Sequence, residues 1–300
     1  AGALFADRYR IIRHIATGGM GSVYEVTHLL TNRRRALKVM HVQCMSSPEL
    51  RERFRMEARI GATIDADGIV DVFDAGVDPT TRMPFLVMEL LRGEDLGKRV
   101  QRQLRLTPQE VLTYLRQVAV ALDAMHRAGV IHRDLKPENL FLSRRSDGSP
   151  WIKVLDFGIA KVIAGGGADL NAARGLGTPL YMAPEQLLSD EAPTPATDLY
   201  ALAMVAFTLL VGRPYWREES RRSGGNLLLF ARTVMEGPKE PAAARAWGVG
   251  VELPDAFSDW FARATALRPD QRFATADEMV SALDAALGAS CSAIECMDTV

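Results

Sequence analysis

The stretch "VIHRDLKPENLFL", Val130 to Leu142, interrupts two apolar ends with an acid, a Lys, a Pro, a second acid and an Asn. A buried apolar run does not carry such a block without a reason. The reason its spacing offers is to bring Asp134, Lys136 and Asn139 close together. A second feature points to the chemistry. In "IATGGMGSVY", Ile15 to Tyr24, Gly18, Gly19 and Gly21 let backbone approach a ligand closely, with amide N–H groups turned to phosphate oxygens. A third is Lys38 in the apolar strand "ALKVM", a costly place for an ammonium unless it is paired, with Glu57 on the following helix as partner. A fourth is Asp156, followed by Phe157 and Gly158 in a turn able to aim its carboxylate. Each has a plain alternative when taken alone: a simple hairpin, a surface charge, a helix or turn cap, an Asx-turn. Their order along one chain is what makes them specific.

The elements that must position these groups fall into two halves. Up to about residue 91, "YRIIRHIA", "GSVYEVTHLL", "RRALKVMHV", "GIVDVFDAGV" and "PFLVMEL" alternate as strands, and "SPELRERFRMEARIGATI" reads as one helix. Beyond Gly93 the character turns helical. "TPQEVLTYLRQVAVALDAMHRAG" has Thr107 as N-cap, Pro108 at the first helical position and Gly129 as stop. "LYALAMVAFTLLV", Leu199 to Val211, is too short to span a bilayer and fits a buried core helix. The expected organisation is a small lobe over 1–91, a larger lobe over 92–288 joined through Leu90 to Glu94, and a tail over 289–300 expected to be disordered. A cleft between lobes is a common place for a ligand.

Bulk properties exclude several classes. The 300 residues, 48% hydrophobic and 24% charged, suit a globular enzyme. A net charge of −1 gives no electrostatic case for nucleic acid or an anionic membrane. The basic runs Arg33–Arg35, Arg144–Arg145 and Arg221–Arg222 are expected on solvated faces. Three cysteines, Cys44, Cys291 and Cys296, form neither a disulfide framework nor a zinc site and suit a reducing compartment. The N-terminus lacks the basic-then-apolar pattern of a secretion signal.

Through "GGMGSVY", "HRDLKPEN", "LDFG" and "GTPLYMAPEQ", in that order and over about residues 9–287, the sequence resembles the protein kinases. Its nearest likeness is the bacterial (Hanks-type) serine/threonine kinase catalytic domain. The resemblance implies an α+β, bilobal fold, with a small antiparallel-sheet N-lobe carrying one main helix and a larger, mainly helical C-lobe. It also implies transfer of the ATP γ-phosphate to Ser/Thr hydroxyls of protein substrates, a reaction governed by positioning and charge neutralisation. By the same likeness Lys38 holds the α- and β-phosphates and Glu57 fixes its ammonium. Asp134 orients the acceptor hydroxyl and takes its proton, Lys136 stabilises the transferring phosphoryl group, and Thr178 contacts both. Asn139 and Asp156 bind Mg²⁺, with Mn²⁺ as the alternative. Adenine lies under Ile15, Val23 and Ala36 and over Phe141 and Leu155, with Met88 behind it. The main chain of Glu89 and Leu91 meets the purine edge, and Asp95 reaches the ribose. Glu185 pairs with Arg272, and Asp198 accepts from backbone of the catalytic loop. A cytoplasmic location follows, including as the cytoplasmic domain of a longer membrane-anchored protein.

The sequence departs from the pattern in three places. Ala16 replaces the first Gly of the glycine-rich turn, tolerable at negative φ but expected to weaken ATP binding. Gly61 follows Glu57 by one helical turn and loosens that helix by roughly 0.5–1 kcal/mol relative to Ala. Between Phe157 and Gly177 there is no Ser, Thr or Tyr to take a phosphate that would pair with Arg133. Either Ala172 and Ala173 replace hydroxyl residues by design, or the natural loop lacks them. The loop is therefore expected to be ordered without phosphate, with Asp169 as a weak substitute, or controlled by a regulatory protein partner. The alternative function is a pseudokinase-like nucleotide-binding scaffold with little turnover. A small-molecule kinase is disfavoured by "GTPLYMAPE", which resembles a peptide-positioning segment.

Overall fold

The computed structural model describes residues 2–18, 21–40, 64, 66–156, 179–187 and 192–288. The chain divides into two compact units, one of Ala1–Gly93 with Leu155–Gly177 and one of Glu94–Val154 with Thr178–Val300. Asp156 thus belongs to the same unit as Lys38.

The first unit is built on six antiparallel strands: β1 (Leu4–Phe5), β2 (Tyr9–Gly18), β3 (Gly21–His28), β4 (Arg34–Met40), β5 (Val72–Val77) and β6 (Pro84–Met88). They lie in the order β1-β2-β3-β4-β6-β5. Alternation sets the faces. Tyr9, Val26, Leu37, Val39, Phe85 and Val87 pack together with Phe5, whose ring meets that of Phe85 edge-on at 5.4 Å. Two residues support this core from the N-terminal strand side. The Tyr9 hydroxyl donates to Asp74 Oδ2 at 2.5 Å, and Asp78 Oδ1 accepts from the Ala6 amide at 2.9 Å.

Gly21 has a structural reason beyond ligand approach. A Cβ at this position would lie 2.2 Å from the Val39 carbonyl oxygen on β4, so only glycine lets the two strands close up there. Gly18, by contrast, faces open space. Ala16 keeps a negative φ within β2, the condition under which its methyl is tolerated. The helix expected over 47–64 lies outside the described residues except for Ile64, as do the segment 157–177 and the tail 289–300.

The second unit is mainly helical. Among its described residues are α1 (Leu96–Gln103), α2 (Pro108–Arg127), α3 (Pro195–Val211), α4 (Arg217–Arg222), α5 (Leu227–Met235), α6 (Ala242–Trp247), α7 (Asp255–Ala264) and α8 (Ala276–Gly288). The strands β7 (Glu94–Asp95), β8 (Leu140–Arg144) and β9 (Pro150–Val154) form a small antiparallel sheet. Helix α2 begins as its sequence dictates. Thr107 Oγ1 accepts from the Glu110 amide while Glu110 returns a bond to the Thr107 amide, a capping box worth about 1 kcal/mol. It buries Val111, Leu115, Val118, Leu122 and Met125 along one stripe, and the chain leaves it through Gly129 at φ 74°. Helix α3 is buried throughout Thr197–Val211, which explains an apolar run without amphipathic period. It stops at Gly212, φ 83°, where a Cβ would meet the Leu104 carbonyl oxygen at 1.8 Å.

The basic runs lie largely on solvated faces, with Arg33, Arg34, Arg144, Arg145, Arg221 and Arg222 exposed and Arg35 half-buried. Arg34 is bonded to Glu25, Arg35 lies 3.9 Å from the Phe73 ring centroid and Arg145 lies 5.0 Å from that of Trp151.

Candidate active site

The candidate groups form two sets, each described within its own unit. In the first unit, β4 places Lys38 opposite Val23 on one side and Leu86 on the other. Lys38 is 6% exposed, and its Nζ lies 2.5 Å from Asp156 Oδ1. Asp156 has a left-handed backbone (φ 47°), unusual for a non-glycine residue, and this turn directs its carboxylate at the lysine. Its side chain is 42% exposed, so one end of the pair is wet. Ala36 pairs across the sheet with Glu25 and Met88. Ile15 sits at a register shift between His14 and Ala16. The Glu89 amide donates to the Asp71 carbonyl at 3.0 Å, so a main-chain bond from Glu89 to a purine has to use its carbonyl. Leu91 and Leu155 are half-buried.

In the second unit the residues of the opening motif do converge. Asp134 is 5% exposed, and both neighbours reach the same oxygen: Lys136 Nζ lies 2.9 Å and Asn139 Nδ2 3.1 Å from its Oδ2. Asn139 also donates to the Asp134 carbonyl at 2.7 Å. Two local features make this possible. Leu135, 1% exposed, anchors the segment between the two polar residues. Pro137–Asn139 then form one 3₁₀ turn that folds Asn139 back toward Asp134.

Asp198, fully buried at the start of α3, holds the loop from behind. Its Oδ2 accepts from the His132 amide and its Oδ1 from the Arg133 amide, each at 2.8 Å. His126 Nε2 lies 2.8 Å from the same Oδ2. Arg133 takes φ 66°, and Gln186 Nε2 donates to its carbonyl at 2.8 Å. A carboxylate with three partners and two backbone donors of one loop is a rigid anchor.

Other expected residues find mixed employment. Asp95 caps α1, its Oδ1 accepting from the Lys98 amide at 2.8 Å and its Oδ2 lying 2.9 Å from Lys98 Nζ. It also pairs across the sheet with Phe141. Glu185 and Arg272 form a two-pronged pair, with Nη1–Oε1 at 2.7 Å and Nη2–Oε2 at 2.9 Å. Burial pushes the Glu185 carboxyl up, but Arg272 overrides it and holds the group below the usual carboxylate range. Gly19, Glu57 and Thr178 lie outside the described residues, as do Gly61, Asp169, Ala172, Ala173 and the three cysteines.

Asn139 and Asp156 offer hard oxygen donors of the kind Mg²⁺ takes, and Mg²⁺ completes its shell with water and phosphate rather than with a protein cage. No cluster of three or more His, Cys, Asp or Glu side chains able to hold a metal occurs among the described residues.

Sequence reasoning missed His126 and Gln186. The only signal for His126 is its place in "MHRAGVIHRD", one helix end before the loop it supports.

A buried acid steadied by Lys and Asn in one unit, and a buried Lys facing a turn Asp in the other, are groups of the kind that phosphoryl transfer uses. The protein kinase domain profile matches residues 9–281, and the chain belongs to that family. It is 38% identical over 279 residues to the serine/threonine-protein kinase Pkn1 of Myxococcus xanthus, covering 93% of this chain and 38% of that protein. It is 39% identical over 244 residues to PknA of Mycobacterium tuberculosis, covering 80% and 54%. The chain therefore spans between about two fifths and just over half the length of these relatives. In structure it resembles the M. tuberculosis PknI kinase domain, with a TM-score of 0.71 and 27% identity over 95% of this chain and 98% of that one. The fold is that of a protein kinase, α+β, with an antiparallel-sheet unit and a helical one. Among the described residues no helix is long and apolar enough to cross a membrane.

Proposed function

We propose that this chain transfers the γ-phosphoryl group of ATP to Ser or Thr hydroxyls of protein substrates, in a signalling role. The observation that carries the reading is the convergence of Lys136 and Asn139 on Asp134 Oδ2. Asp134 takes the proton of the attacking hydroxyl, and the acceptor oxygen bonds to the γ-phosphorus as the bond to the β-phosphate oxygen breaks. Lys136 moves from the carboxylate to the γ-phosphoryl oxygens as charge builds there. Lys38 grips the α- and β-phosphates, steadied by Glu57, while Thr178 contacts Asp134 and Lys136. The glycine-rich turn with Gly18, Gly19 and Gly21 covers the phosphates through its amides. Ile15, Val23, Ala36, Met88, Phe141 and Leu155 enclose adenine. The Glu89 carbonyl and the Leu91 amide read the purine edge, and Asp95 meets the ribose. Asn139 and Asp156 hold Mg²⁺, which supplies charge neutralisation on the polyphosphate when bound.

The relatives' names favour Ser/Thr acceptors, and "DLKPEN" has the wording of that branch. The cytoplasm supplies ATP and a reducing medium that suits three cysteines. Control by a partner protein is the reading that the hydroxyl-free segment 157–177 supports best. That segment and Ala16 also favour a second reading, a nucleotide-holding scaffold with little turnover.

Radiolabelled ATP, Mg²⁺ and a generic basic protein separate the two. Incorporation should fall by about 10²–10⁴-fold in Asp134→Asn, the usual worth of a positioned general base. Equal, background-level labelling by wild type and variant would leave the scaffold.

A further inference from the structure

The candidate site leaves unused one charged group on the sheet of the first unit. Glu25, in the middle of β3, is 4% exposed. Its Oε2 accepts from Arg13 Nε on β2 at 2.7 Å, and its Oε1 accepts from Arg34 Nη1 on β4. One carboxylate thus ties three consecutive strands. Its arginines are 63% and 59% exposed. The carboxylate is covered by those two side chains rather than by depth of protein. Hydrogen bonding from Arg34, then from Arg13, outweighs this shielding and holds the carboxyl below its usual range.

The position of the clamp matters more than its strength. The β2–β3 ladder shifts register twice, between Ile11 and Arg13 and again between His14 and Ala16. Between those irregularities only Arg13↔Glu25 and His14↔Tyr24 are in register. Backbone pairing specifies register least well where a ladder is interrupted, and the Arg13–Glu25 ion pair sits in that gap. Ile15 lies in the second shift and Ala16 pairs with Val23 just beyond it. On the other side Glu25 faces Ala36 across β3 and β4, with Arg34 two residues before Ala36. Side chains alternate along a strand, so Val23 and Glu25 share a face with Ala36 and Lys38.

We infer that Glu25 is a positioning residue for the nucleotide base: by fastening Arg13 and Arg34 it pins the register of β2 against β3 and β4, and so sets the spacing of Ile15, Val23 and Ala36 over adenine. This rests on the proposed reading of those three residues as adenine contacts. An apolar residue at position 25 would hold the strands together by packing, but it would not choose between neighbouring registers. The two directed bonds choose. Because the clamp acts on the base-covering residues and touches neither Lys38 nor the glycine turn, its effect is the same for ligands with and without phosphates.

Calorimetric titration of wild type, Glu25→Gln and Arg13→Gln with ATP, ADP and adenosine tests this, at a temperature well below each thermal midpoint. Glu25→Gln should raise Kd roughly fivefold, in line with an opposed cross-strand ion pair, and by the same factor for all three ligands. In turnover the KM for ATP should rise by that factor while kcat and the KM for protein substrate stay put. Arg13→Gln should reproduce the shift, and the double variant should add nothing to it. A Kd unchanged by either substitution overturns the inference. So does weakening confined to ATP and ADP, which would place the effect on the phosphates. If Glu25→Gln does not fold, the exposed Arg13→Gln carries the test. Failure of the wild type itself to bind any of the three ligands would instead strike the adenine reading, and is seen without any variant.

Discussion

Two ion pairs, one in each unit, both bury their cation and differ in the exposure of their carboxylate. Glu185 and Arg272 meet through two parallel bonds, with side chains 4% and 0% exposed. Each guanidinium nitrogen of Arg272 also donates to a backbone carbonyl, and Glu185 takes a third bond. Thr197 Oγ1 donates to Glu185 Oε1 at 2.9 Å, Arg272 donates to the carbonyls of Ala196 and Ala266 at 2.9 and 2.8 Å, and its guanidinium lies 5.1 Å from the Tyr200 ring centroid. Lys38 lies against Asp156, whose carboxylate side chain is 42% exposed and carried on a left-handed turn. A saturated, dry pair cannot change partners without leaving a charge stranded. A pair with one wet end can trade its partner for a phosphate or a cation. Exposure of the carboxylate, rather than burial of the lysine or arginine, separates the structural pair from the exchangeable one.

The sharpest way to break the contrast is to remove one partner from each side. Arg272→Met should cost about 3–5 kcal/mol in urea or thermal unfolding, because Glu185 is left buried and unpaired. A loss under about 1 kcal/mol, the range of a surface pair, would mean that the site reorganises and the contrast is false. Lys38→Met should do the reverse. Stability should stay within about 1 kcal/mol of wild type, since Asp156 can turn to water. Phosphoryl transfer should drop by roughly 10²–10³-fold, as when one preorganised donor to a developing charge is lost. A Lys38→Met variant that unfolds while the surviving fraction keeps full activity would reverse the assignment of the two pairs.

How much of this was legible in the sequence follows the same line. The convergence within Val130–Leu142 could be read because five polar or turn-forming residues interrupt a strand-like run, and the structure brings Asp134, Lys136 and Asn139 together. The strands of the first unit and the capped helix Pro108–Arg127 followed from alternation and from Thr107, Pro108 and Gly129, which are local signals. The Glu185–Arg272 pair spans 87 residues of sequence, and only the family resemblance brought its members together. His126 was lost because a histidine on a helix end has no local signal that it will face a carboxylate 72 residues away. The ties between charges on the sheet were not legible for a related reason. An Arg run beside alternating strand residues looks like a solvated face, and only cross-strand register shows that Arg34 and Arg13 converge on Glu25. Gly21 carried two messages at once, and the sequence revealed only the one about ligands.

The smallest expected effect is also the most diagnostic, because it asks whether the saturated pair works through charge. In the folded protein Glu185 has its pKa lowered, with burial opposing and Arg272 prevailing. In the unfolded chain it returns to about 4.3. The unfolded state therefore binds more protons between those two values, and the pair's contribution is complete above about pH 4.3 and lost as pH falls through the folded pKa. Other carboxylates held low by arginines, among them Glu25 and Glu94, add to the same acid limb, so the wild-type curve alone assigns nothing. The difference between wild type and Arg272→Met does. Without the guanidinium, burial, the largest influence on Glu185, is opposed only by its bonds from Thr197 and backbone and raises its pKa, so the variant becomes more stable relative to wild type as acid neutralises the stranded carboxyl. The stability gap measured by urea unfolding should accordingly be widest near pH 6–7 and narrow steadily toward pH 3. A gap that stays constant across that interval would show that Arg272 acts through its bonds to backbone carbonyls and its place over Tyr200, with the charge of Glu185 a bystander.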